Sequence, residues 1–304
     1  MSTIPTPPEL TPELAAPPRK GMPRKATIAI LVIACLFVFM PFLFWRASWF
    51  GAPMSASDIT AALAPDAKPR DTQHALAQIS ALIDRHDPST RQWYPGVISE
   101  SRHSDPQIRL TAAWVMGRDN SVPEFHQALL PMLADSDPMV RSNAALSLVR
   151  FADASGRPLL LAMLQPYTIT ASSSGGLVNP FVRGILRQRL KEGDAVRPGT
   201  LVARIDGWYG TDAPVVIEVR SPVPGILVHW LQPTGASVQN GQPLCILSPD
   251  PSSAWESLRA LYLVGQPEDA PVIESFLHTV PADAPPNLLE QARLTLNAIR
   301  SRQK

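Results

Sequence analysis

VRGILRQRLKEGDAVRPGTLVARI, Val182 to Ile205, is followed by VPGILVHWLQPTGASVQNGQPLCIL, Val223 to Leu247, and the two stretches read as one short module written twice. Gly184 matches Gly225, the Ile-Leu pairs at 185–186 and 226–227 match, and Leu190 matches Leu231. After one residue inserted in the second copy, Gly193 matches Gly235, Val196 matches Val238 and Gly199 matches Gly241. Each copy predicts an apolar strand, a glycine turn, a valine, a second glycine turn and another apolar strand. Glycine supplies positive φ where such turns need it, and β-branched residues fill the strands between.

Upstream the composition changes. A chain of 304 residues allows one to three domains. With 27 Lys and Arg against 26 Asp and Glu, there is no electrostatic case for nucleic acid. Seven of the 33 prolines fall in the first 25 residues, which predicts a disordered, partly polyproline-II tail over 1–25. ATIAILVIACLFVFMPFLFW, Ala26 to Trp45, carries no charge. As a helix it would be about 30 Å long and match a bilayer core, so a transmembrane helix is expected over 26–46. Arg19, Lys20, Arg24 and Lys25 precede it and only Arg46 closely follows. That asymmetry puts the tail in the cytoplasm and the rest outside a bacterial inner membrane, in the periplasm. The rival is a cleaved signal peptide, disfavoured because the apolar run exceeds a usual h-region and no small-x-small site follows closely.

Residues 51–70 read as a Pro/Ala/Ser linker, and 71–166 as stacked helices. Ala75, Leu76, Ile79, Leu82 and Ile83 have helical spacing. Ser104-Asp105-Pro106-Gln107-Ile108-Arg109 then returns 32 residues later as Ser136-Asp137-Pro138-Met139-Val140-Arg141, each followed three residues on by an alanine pair. A period in this range marks helical repeats. Asp105 and Asp137 are placed to cap helices that open on proline. Arg109 and Arg141 are expected to pair with capping aspartates of neighbouring repeats. Tyr167 to Asn179 reads as a Ser/Gly linker into a β module over 177–249. Residues 252–304 read as further helices that lack the Asp-Pro-Arg pattern, and the helices on either side of the module are expected to pack together.

The Asp-Pro-x-Val/Ile-Arg-x-x-Ala-Ala pattern resembles HEAT-type repeats. The doubled β module resembles the biotinyl/lipoyl-type barrel-sandwich hybrid of carrier domains and of haemolysin-D-type periplasmic adaptors, over about 70 residues. The fold class expected is therefore α+β and multidomain: one transmembrane helix, HEAT-like repeats and a lipoyl-like module. In carrier domains that resemblance implies a lysine at the hairpin between the halves. Here the hairpin Asp206 to Pro222 has none; counting from either side puts Tyr209 or Pro214 at that position. No biotin, lipoate or other cofactor is expected. The adaptors' long helical hairpin is missing too.

No catalytic set is evident. The six histidines, at 74, 86, 103, 126, 229 and 278, lack metal-ligand spacing, and there is no nucleophile elbow or phosphate loop. Cys35 and Cys245 form no disulfide framework. Of His229 and Trp230, one should point outward. Trp208 and Tyr209, in the glycine-flanked hairpin, are the candidate partner contact, since exposed aromatics anchor interfaces. The expectation is a non-catalytic membrane-anchored scaffold that binds a partner protein of the cell envelope, with homo-oligomers possible. The alternatives are an adaptor-like subunit of a transport or efflux complex and a ligand sensor using the Trp208–Tyr209 loop.

Overall fold

The computed structural model describes residues 24–49, 53–171, 183–208, 214–281 and 284–302. The chain divides into two units, 1–53 and 54–304. Nearly all of the tail read over 1–25 lies outside the described residues, as do 172–182 and Tyr209.

In the first unit a single helix, α1, runs Arg24–Trp49. Its side chains from Ile30 to Met40 are exposed, Phe37 at 78%. Among the described residues no helix is long and apolar enough to cross a membrane. The unbroken run of described α1 side chains, residues 30–40, spans about 16 Å at roughly 1.5 Å per residue, about half a hydrocarbon core.

The second unit mixes helical repeats with two β-sheets. Its first helices are α2 (Ala56–Ala62), α3 (Pro69–Asp84), α4 (Tyr94–Glu100), α5 (Pro106–Met116), α6 (Pro123–Met132), α7 (Pro138–Val149) and α8 (Arg157–Ala162). After the strands come α9 (Pro251–Val264), α10 (Ala270–Thr279) and α11 (Pro286–Ser301). Proline is the first residue of α3, α5, α6, α7, α9 and α11, where its missing N–H costs nothing. Part of the high proline content thus builds helix starts. α2 corrects the reading of 51–70 as linker: Ser55 and Asp58 form a reciprocal capping box and Ile59 is buried.

The helices α3, α5, α7, α9 and α11 stack one on the next, and α4, α6, α8 and α10 each pack on the stacked helix that follows. The stack runs straight through the insertion. α9 lies on α7 and α8, and one buried cluster joins Ala145, Val149, Leu160 and Leu164 to Ala254, Leu258 and Leu261. Buried hydroxyls tie neighbours together. Ser147 Oγ donates to the Ala113 carbonyl at 2.8 Å, Ser257 Oγ to that of Leu160 at 2.6 Å, and Thr295 Oγ1 to that of Leu258 at 2.9 Å. Asp250 caps α9 ahead of Pro251, accepting from the Ser253 N–H. The aspartate and proline of the repeat signature therefore recur after the insertion, with Ser253, Ala254 and Ser257-Leu258 in the places of its apolar residue, arginine and alanine pair.

The strands are β1 (Tyr167–Thr170), β2 (Arg183–Gln188), β3 (Ala195–Val196), β4 (Leu201–Trp208), β5 (Pro214–Arg220), β6 (Gly225–Trp230), β7 (Ser237–Gln239) and β8 (Pro243–Pro249). They form two four-stranded antiparallel sheets, in the orders β1-β8-β6-β3 and β5-β4-β2-β7. The halves exchange strands: β3 of the first copy pairs with β6, and β7 of the second pairs with β2. Gly184 faces Val238 and Gly225 faces Val196, so the matched residues of the two copies meet each other's partners. The hydrogen bonds repeat in the same way. Gly193 N–H donates to the Leu227 carbonyl at 2.7 Å and Gly235 N–H to that of Leu186 at 2.8 Å. All four turn glycines have φ between 81° and 94°. Leu186, Val196, Ile205, Leu227, Val238 and Leu247 form the core between the sheets.

β1 corrects the linker expected from Tyr167. Its four residues pair with β8, Tyr167 opposite Leu247, and Ala171 exchanges hydrogen bonds with the 241–242 turn as Ser221 does with the 199–200 turn. β1 is thus the counterpart of β5, and the doubled unit has four strands per copy.

Candidate protein-interaction groove

The repeat aspartates and arginines have structural partners. Asp105 accepts from the Gln107 N–H at 2.8 Å, and Asp137 from those of Met139 and Val140 at 2.8 and 3.2 Å. The arginines bond elsewhere, which corrects the expected ladder. Arg109 makes a two-point bond to Asp135, at 2.7 and 2.8 Å, and donates to the carbonyls of His103 and Ser104. Arg141 donates to the carbonyls of Asp135 and Ser136. Arg109 and Asp135 are only 13% and 10% exposed. Burial is the largest influence on the Asp135 carboxyl and pushes its pKa up. The Arg109 hydrogen bond, the Asp137 N–H and the charges of Arg109 and Arg141 outweigh it, so the net shift is down. These groups brace the turn between repeats and are consumed in doing so. Among the described residues no cluster of three or more His, Cys, Asp or Glu is placed to hold a metal ion.

Trp208 ends β4, its backbone paired with Arg183 and Pro214. Tyr209 lies outside the described residues. His229 is the exposed member of its pair, beside Glu192 at 3.1 Å. Trp230 packs on the module core and donates its indole N–H to the Leu190 carbonyl at 3.2 Å.

A different surface gathers exposed apolar groups. A groove of about 700 Å³ lies over α5, α7, α9 and α11, lined by Trp114, Leu146, Tyr262, Leu263 and Leu294 together with arginines 118, 150 and 259. Leu263 is 64% exposed and Leu294 50%. Single exposed leucines are ordinary, but apolar groups gathered in one groove mark a contact surface. The Arg118 guanidinium stands 5.4 Å from the Trp114 ring centre and bonds both oxygens of Asp84 at 2.6 Å. Arg259 lies 4.6 Å over the Trp255 ring and 3.8 Å from Glu256. Among the described residues, the lining holds three arginines against one glutamate. A second groove of about 590 Å³, beside α4 and α6, sets Arg102 against Glu124 and Asp135 and has no exposed large apolar side chain. The first is therefore the candidate site.

The sequence reading missed this surface because it followed the core stripes. The groove residues lie off those stripes, and the expected packing of the helices on either side of the β module does not say which of their faces share a groove. Repetition of an apolar residue nine positions after each cap, Trp114 after Asp105 and Leu146 after Asp137, is the trace that was there to find.

Residues 94–170 match the family model for HEAT repeats, a stretch running from α4 to β1. No curated protein matches the chain. Among solved structures, the apo structure of the ectoine utilization protein EutE (DoeB) from Ruegeria pomeroyi is similar at 14% identity with a TM-score of 0.20. The likeness covers 38% of this chain and 36% of that one, so the chain spans about a third of that structure's length. Similarity at that level carries no argument about function.

Proposed function

We propose that this chain is a membrane-anchored scaffold that holds a partner protein of the cell envelope in the groove over α5, α7, α9 and α11. The observation that carries the reading is the gathering of Trp114, Leu146, Leu263 and Leu294 in one arginine-flanked groove. HEAT repeats are in general a protein-interaction fold, and the matched segment supplies two of the groove's four helices. Anchorage is supported by the 26-residue helix α1, by its exposed apolar side chains and by the uncharged run from Ala26 to Trp45. The four basic residues at 19, 20, 24 and 25 favour a cytoplasmic tail and a periplasmic second unit. The strand exchange and matched glycine turns support reading the β module as a barrel-sandwich hybrid of lipoyl type. Without a lysine between Asp206 and Pro222 it serves as a structural module and takes no biotin or lipoate.

The test is photo-crosslinking in cells from a crosslinker at Leu263 or Leu294, read by mass spectrometry, with Tyr209 as a third position. One envelope protein captured from both groove positions is the expected result. Capture from Tyr209 alone moves the partner site to the hairpin. No adduct from either groove position removes the groove reading. The same strand exchange favours a second reading, an adaptor-like subunit of a transport complex; ring-sized oligomers in light scattering would replace the scaffold by it.

A further inference from the structure

The groove is in register with the repeats. Ten of its fifteen lining residues fall at the sixth, ninth and thirteenth positions after the caps Asp105, Asp137, Asp250 and Pro285, and the other five, Tyr262 among them, at the tenth and twelfth. The ninth positions are Trp114, Leu146, Arg259 and Leu294; the thirteenth are Arg118, Arg150 and Leu263; the sixth are Asn143, Glu256 and Gln291. Three rows therefore cross the stacked helices side by side: one polar, one mainly apolar, and one that starts with two arginines. Arg259 does not break the apolar row, because its head is drawn to Trp255 and Glu256 and leaves its aliphatic stem in the row. Arg150 is exposed and has no side-chain hydrogen bond or ion pair among the described residues.

Packed helices stand about 8–10 Å apart, so an occupant that follows the rows must present like side chains every ~10 Å on one face. An α-helix does so every seven residues, about 10.5 Å. A β-strand covers that distance in about three residues, which puts successive contacts on opposite faces. In the arginine row Arg118 is already held by Asp84, while Arg150 has no ion pair among the described residues, so Arg150 calls for a carboxylate on one flank of the occupant. We infer that the occupant is an acidic amphipathic α-helix laid across α5, α7, α9 and α11. Its apolar stripe lies on the ninth-position row, and an Asp or Glu on its flank faces Arg150. Three steps between four helices make about 30 Å, a helix of roughly 20 residues. This inference rests on the groove being the partner site.

The probe is a fluorescein-labelled 21-residue helical peptide with leucine stripes and one glutamate flank, compared with the same peptide carrying lysine there. Both are titrated against the full chain in detergent and read by anisotropy. The glutamate peptide is expected to bind at least about tenfold tighter, with a preference that shrinks at high salt. Arg150→Glu should remove about a tenfold share of that preference. Leu294→Asp, at a half-exposed site, should abolish binding of both peptides while circular dichroism stays unchanged. Equal binding of the two peptides, or a preference untouched by Arg150→Glu, overturns the inference. So does tighter binding of an extended proline-rich peptide with the same side chains. If the inference fails while crosslinks from Leu263 persist, the groove keeps its partner and only the acidic helix is lost. If both fail, the groove reading goes as well.

Discussion

Asp135 shows how much one side chain can decide. It joins two repeats by holding Arg109 and orients the next cap by accepting the Asp137 N–H at 2.8 Å. Both members of the ion pair are mostly buried, so Asp135→Asn should leave Arg109 short of a counter-charge at a cost of about 2–4 kcal/mol, measured by urea unfolding of residues 54–304. The same group gives a pH dependence. Its folded carboxyl binds protons less readily than the unfolded one, whose pKa is near 3.9. Its contribution is therefore complete above the unfolded value and is lost as pH falls through the lower, folded value; Asp135→Asn should flatten that loss. Two glycines separate two kinds of cost. Gly193 has φ of 94° and open space where a Cβ would point, so Gly193→Ala should cost about 1 kcal/mol through the backbone alone. At Gly184 a Cβ would sit 2.4 Å from Ile205 Cγ2 and 2.8 Å from the Asp206 carbonyl oxygen. Gly184→Ala should cost more, about 2–3 kcal/mol; equal losses in thermal melts would show that the close approach is not what requires glycine. Cys245 is fully buried, and burial pushes its thiol up to about 12, so alkylation should track unfolding.

At the scale of elements, the β module is a passenger in the stack. α9 docks on α7 and α8 with its own buried contacts, and the strands from 167 to 249 form a separate core. Replacing residues 166–249 by a short Gly/Ser linker should leave a helical unit with a cooperative melt; a broad, non-cooperative loss of helix would show that the module supports the stack. Legibility in the sequence follows the same division. α5 and α7 could be read because cap, proline, apolar residue and arginine all recur within 32 residues. The glycine register of the module could be read because each turn needs a backbone angle that other residues resist. β1 could not: Tyr167–Thr170 is only four residues beside a Ser/Gly run and becomes a strand through β8, far along the chain. The arginines' partner was misread because caps and counter-ions are both aspartates, and only the structure shows which aspartate a guanidinium reaches. The groove was illegible because its fourfold register spans an insertion, and its residues carry no motif beyond their distance from a cap.

The whole molecule joins an apolar helix to a unit that folds around a detour. If α1 anchors the chain, removal of residues 1–52 should release the remainder from membranes in carbonate extraction, while its melting temperature stays the same; persistent membrane association would place the anchor elsewhere. The detour has a consequence in time. The ribosome completes α7 and α8 first, with Ala145, Val149, Leu160 and Leu164 turned toward a helix that does not yet exist. Residues 165–250 must be made before α9 can cover them. At about 5–20 residues per second, that edge stays bare for about 4–17 s. During that interval every nascent copy displays the same sticky face, and neighbours on one message can pair through it before their own α9 arrives.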